Sequence, residues 1–197
     1  MPMKRVLLVA AALVVGGLGI YLFLQFDEQS RIRTAARDEI VHVLESEKDA
    51  PKVLRLCSEA LEESPEDASL FLFQGRAYHM RGRFSDALES FGKAELYLGE
   101  DQEEEHRFLR ARSLLRRFLD TGERGDFNVA EGDLQALSRS GSFDDAASIL
   151  LGMGLARKDV VRHRDEAVEL IEKGLKSSRV GDLVDVDRAR QILDKLR

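Results

Sequence analysis

From Val6 to Phe26 the chain runs 21 positions without a charge; beyond Phe26 it becomes charge-rich, with apolar and small positions recurring at helical spacing. As a helix rising 1.5 Å per residue the uncharged run measures about 31 Å, enough to cross a bilayer. Lys4 and Arg5 stand before it, as in a secretory signal, but the apolar residues continue through Ile20 to Leu24, past the small-x-small candidate Gly17-Leu18-Gly19. A retained anchor over 6–26 is therefore the expectation, with a cleaved signal as the competing reading. No Cys closes the run, which excludes a lipoprotein. Arg31, Arg33 and Arg37 nearly balance the basic residues on the other side. A five-residue tail is kept in the cytoplasm more easily than it is translocated, so residues 1–5 are expected inside and 27–197 outside. Ala12 and Gly16 form one small-xxx-small pair, a weak signal for helix association.

The remainder reads as a repeat. Between Leu70 and Leu98, helical periodicity on both sides of a break at Arg81-Gly82 predicts two antiparallel helices joined by a tight turn. In the second of these, Ala87, Phe91 and Ala94 fall at i, i+4 and i+7 on one face. The same small-large-small spacing returns as Val53, Cys57, Ala60; as Ala130, Leu134, Leu137; and as Ala167, Ile171, Gly174. The triplets begin at 53, 87, 130 and 167, so successive starts lie 34, 43 and 37 residues apart. Such a period marks a solenoid of helix pairs, expected here at about 31–65, 67–99, 102–141 and 143–178. A terminal segment, 182–197, places Val186, Ala189, Leu193 and Leu196 on one face and fits a cap helix.

Phe71, Gly75, Tyr78, Ala87, Phe91 and Ala94 stand in the order and spacing of the tetratricopeptide repeat, with Gly99 where that pattern ends in Pro. The preceding unit matches in Val53, Cys57, Ala60 and Pro65, while its first helix, around Arg31 to Glu45, is degenerate. The third unit offers Leu109, Ala111 and Leu114, followed by an expected long loop, Asp120 to Asn128; the fourth offers Gly152 or Gly154 and Leu155. The chain after the anchor thus resembles a tetratricopeptide-repeat protein. The resemblance implies a curved array of helix pairs with the first helix of each pair lining the concave side. With the anchor read from the uncharged run, the expected fold is all-α, an N-terminal transmembrane helix followed by that array.

In that register the second unit turns Ser69, Leu72, Arg76, His79 and Met80 toward the concave groove, and the third turns Phe108, Arg112, Leu115 and Arg116. A partly basic, partly apolar groove suits a protein or peptide segment of acidic character, held by charge-assisted bonds from Arg and anchored on Leu, Met or Phe. The bland alternative is that these arginines are solvated helix charges paired with nearby Glu.

Composition adjusts this picture only slightly. A content of 44% hydrophobic and 34% charged residues with 3 Pro suits a helical domain. The net charge is -6, with basic residues and no acid ahead of the anchor, so the exposed part is acidic and nucleic acid is not an expected partner. One cysteine, Cys57, allows no internal disulfide and sits at a core place in its triplet. His42, His79, His106 and His163 are scattered without metal-ligand spacing, so no metal is expected. Phosphate-loop and nucleophile-elbow motifs are missing, and Gly152-Met153-Gly154 is too short for a dinucleotide turn. No cofactor and no catalysis are expected. Glu103-Glu104-Glu105 reads as a helix N-terminus, where acids favour the macrodipole. The function these readings suggest is a bacterial inner-membrane scaffold facing the periplasm, serving assembly of secretion, pilus, polysaccharide or cytochrome machinery. A self-associating structural subunit is the alternative, and an enzyme or chaperone-like factor a third.

Overall fold

The computed structural model describes residues 31, 33–139, 141–178 and 180–197; the expected basic tail and anchor, 1–26, lie outside the described residues. All regular structure among the described residues is helical. Helix α1 covers 33–42 and runs into a π turn, Val43–Glu47, closed by Lys48 in the left-handed conformation. There follow α2 (Ala50–Glu63), α3 (Ala68–Met80), α4 (Phe84–Glu95), α5 (Glu103–Thr121), α6 (Arg124–Leu137), α7 (Asp144–Lys158), α8 (Val160–Leu175) and α9 (Val186–Leu196). Among the described residues no helix is long and apolar enough to cross a membrane.

Four of the helix starts are fixed by aspartate. The side chains of Asp49, Asp67, Asp159 and Asp185 accept from the backbone N–H groups of Lys52, Ser69, Arg162 and Arg188, each satisfying an otherwise orphan donor at a stabilisation of about 1 kcal/mol. The turns between paired helices are tight. Gly82, at φ +70°, reverses the chain between α3 and α4, and Gly122, at φ +80°, caps α5 in the left-handed region that favours glycine. The second turn corrects an expectation: instead of a loop over Asp120 to Asn128, only Gly122 and Glu123 separate α5 from α6. The polar stretch after Gly122 is helical because Asp126 is tied to α5, accepting from Arg117 Nε at 2.7 Å and from Nη2 at 2.6 Å. Arg117 Nη1 also donates to Ser85 Oγ at 3.2 Å, so one guanidinium joins α4, α5 and α6.

From α2 onward each helix packs on the next, and α3, α5, α7 and α9 also touch in succession, giving an inner row with α2, α4, α6 and α8 outside it. The result is a solenoid-like all-α array. The repeated triplets sit on the outer helices and turn inward: Val53, Cys57, Ala87, Phe91, Ala94, Ala130, Leu134, Ala167 and Ile171 are wholly buried. Between the layers, glycine makes room. A Cβ added at Gly75 would fall on the Phe91 ring, one at Gly154 on the Phe127 ring, and one at Gly174 on the carbonyl oxygen of Asp145 and the side chain of Ile149. Helix α7 is buried over ten consecutive residues, Ala146 to Leu155, as expected of a helix with neighbours on all sides.

The glycines make opposite predictions. Gly174→Ala meets backbone that cannot yield and should destabilise the fold by ~1–3 kcal/mol. Gly132→Ala, in the α6 interior with open space around it, should stabilise by up to ~1 kcal/mol through helix propensity. Chemical denaturation of the two variants should shift the midpoint in opposite directions.

Candidate functional site

The inner row carries two adjoining depressions. One, of about 420 Å³, is walled by His79 and Met80 of α3, Arg112, Leu115, Arg116 and Leu119 of α5, Leu150 and Met153 of α7, and the turn Gly181 to Asp185. The other, of about 620 Å³, lies between the π turn, α3 and α5, and is walled by Leu44, Glu45, Lys48, Arg76, Glu105, Phe108, Leu109 and Phe143. They share Met80, Arg112 and Leu183.

Seven of the nine groove residues expected from sequence line these depressions, and two do not. Ser69 lies toward the start of α3, where its hydroxyl accepts from Gln102 Nε2 at 2.8 Å. Leu72 is a core residue, 2% exposed, and lines neither depression. Phe108 and Leu115 also belong to the core, at 0% and 1% exposure, and form the floor instead of projecting into the groove. Phe108 stacks on Phe143 with centroids 4.4 Å apart. Projection from a single helix fails for Phe108 and Leu115 because α5 is covered by α4, α6 and α7, and for Leu72 because α3 is covered by α2, α4 and α5, which widens each apolar stripe.

The charges are unevenly satisfied. Arg116 pairs with Asp185 at 3.1 Å and more loosely with Asp120 at 3.6 Å. Arg76 reaches Glu45 and Glu105 only at 3.9 Å. Arg112 is different. Its Nη1 donates to the carbonyl oxygen of Leu183 at 3.1 Å and its guanidinium lies 5.9 Å from the Phe108 ring centroid, while Nε is buried with no partner. Among the described residues no carboxylate lies within ion-pair distance of it. Burial, and then the neighbouring Arg76, lower it to about 10, so it remains a cation at neutral pH. A partly buried cation without a counter-ion is costly, and an arriving carboxylate would relieve that cost.

His79 shares a hydrogen bond with the Ser113 hydroxyl at 2.8 Å and meets Phe84 edge-on at 5.2 Å. Burial, followed by the charges of Arg112 and Arg116, lowers its imidazole to about 3. Ser113 is wholly buried, which denies it the access a nucleophile needs. His106 is also internal, with Nε2 at 3.0 Å from the Phe91 carbonyl oxygen. Cys57 is buried, and burial with the nearby Asp67 charge pushes its thiol up to about 12, the opposite of an activated thiolate. Among the described residues no group of three or more His, Cys, Asp or Glu is placed to hold a metal ion.

What the sequence reading missed is the segment before α9. Leu183, Val184 and Asp185 cross to the groove, 71 and 69 residues away in sequence from the arginines that hold them. The available signal was Val184, an apolar residue outside the α9 face, following Gly181.

A protonation test follows from His79. The unfolded chain takes up a proton near the ordinary histidine value of ~6.5, whereas folded His79 refuses it down to about 3. Its contribution to stability is therefore present above ~6.5 and declines as pH falls, by at most ~1.4 kcal/mol per pH unit. His79→Gln should remove this slope in denaturant titrations at pH 7, 6 and 5; a difference between wild type and variant that stays constant would contradict the assignment. Against known proteins, no family model matches this chain and no curated protein matches it.

Proposed function

We propose that the chain is a membrane-anchored scaffold of the tetratricopeptide-repeat type in a bacterial inner membrane, N-terminus inside, with its repeats in the periplasm. The run 6–26 holds it at the bilayer and the inner row captures a partner protein there, raising effective concentration without altering any bond. The observation that carries the binding role is Arg112, a partly buried guanidinium without a carboxylate among the described residues, flanked by Arg76 and Arg116 over an apolar floor. That combination suits a protein segment offering acidic and aliphatic side chains. The hydroxyl beside His79, that of Ser113, is wholly buried and the Cys57 thiol is buried and raised, which favours binding over catalysis.

Crosslinking and pull-down from native membranes, with partners identified by mass spectrometry, test this reading. Replacing Arg76, Arg112 and Arg116 together by Gln should reduce capture at least about tenfold, the effect of losing ~1.4 kcal/mol, while circular dichroism stays unchanged. Undiminished capture would remove the groove from the proposal. N-terminal sequencing of the mature protein should begin at or near Met1; a start near Ile20 would replace the anchor by a cleaved signal.

A further inference from the structure

The groove already holds a segment of the chain itself. Between α8 and α9, the strap Val180 to Asp185 lies over α5, with Val180 and Val184 buried at 6% and 9% exposure. Leu183 stands where the two depressions meet, its carbonyl oxygen accepting from Arg112 and the Asp185 carboxylate from Arg116. The sequence from 180 to 187, Val-Gly-Asp-Leu-Val-Asp-Val-Asp, alternates acids with aliphatics. This is the chemistry that the arginines and the apolar floor select.

The strap fills the site incompletely. It gives Arg112 a carbonyl in place of a carboxylate and leaves Nε without a partner. Its ion pair to Arg116 is a third to a half exposed on either side, a setting in which water and salt weaken the attraction. A segment that brought a carboxylate to Arg112 would make a charge-assisted pair that none of the described residues makes.

We propose that the strap Val180–Asp185 is an intramolecular stand-in for the partner, and that the partner docks by an acidic–aliphatic segment that displaces it from Arg112 and Arg116. This rests on the groove reading above. Being tethered, the strap competes at an effective concentration on the order of millimolar, so the partner segment binds weakly until the strap is loosened. The scaffold is thereby held closed against chance acidic peptides and opens for one that satisfies Arg112.

The test uses the full chain in detergent micelles and a fluorescein-labelled synthetic peptide of residues 180–187, followed by fluorescence anisotropy. The double variant Leu183→Ala, Asp185→Asn loosens the strap, and Asn keeps the α9 N-cap. The peptide should bind this variant about tenfold more tightly than wild type, and adding Arg112→Gln and Arg116→Gln should abolish binding. Equal affinity for wild type and the loosened chain, binding that survives loss of both arginines, or equal binding of a scrambled peptide would each overturn the proposal. A second readout guards against misfolded variants: in wild type, saturating peptide should speed hydrogen exchange at the strap amides, and unchanged exchange would overturn displacement. If the peptide fails while capture from membranes still requires the arginines, the strap assignment falls and the groove stands. If capture ignores the arginines, the groove itself falls.

Discussion

The separation between helices in this array is set by large side chains of one helix seated against glycine on another. Phe91 of α4 fills the space beside Gly75 of α3, Phe127 of α6 fills that beside Gly154 of α7, and Ile149 of α7 fills that beside Gly174 of α8. A glycine lets the backbones approach until the facing side chain becomes the spacer, and close packing then fixes the crossing geometry. The inner row follows, because the inner helices touch their counterparts two positions along the chain. The groove lies on that row. Its floor is the apolar underside of α5 and α7, and its charges come from α3, α5, the π turn and the strap.

This hierarchy explains which parts were legible in the sequence. The triplets could be read because each outer helix has one buried face, and one face gives a clean period of 3.6. Val53 with Cys57, Ala130 with Leu134, and Ala167 with Ile171 all lie wholly inside. The inner helices are harder. Helix α5 has neighbours on several sides, so Phe108 and Leu115, which a single-helix projection turns to the groove, belong to the core. Asp120 to Asn128 reads as a loop in the sequence; the Arg117–Asp126 pair holds the residues after Glu123 helical, and a contact between two helices leaves no periodic trace.

The arginines show the same division. Their presence on α3 and α5 was readable, yet their state was not. Arg116 has a carboxylate, Arg76 has two distant ones, and Arg112 has a backbone carbonyl. Those differences come from residues 45, 105, 183 and 185, which belong to the π turn, α5 and the strap. Charge patterning along one helix reports which groups are available. Only the fold decides which remain unneutralised, and an unneutralised cation beside apolar surface is what distinguishes a recognition site from a solvated helix face.

The strap also orders events in time. Arrays of this kind form contacts chiefly between neighbouring units, so they assemble progressively as the polypeptide emerges. Arg112 and Arg116 are synthesised about 70 residues before the strap that covers them, which at roughly 5–20 residues per second is an interval of several seconds. During that interval the inner face of α3 and α5 can be assembled while its cover does not yet exist. A nascent chain therefore exposes Arg112 and Arg116 uncovered once before completion, and the strap closes over them last.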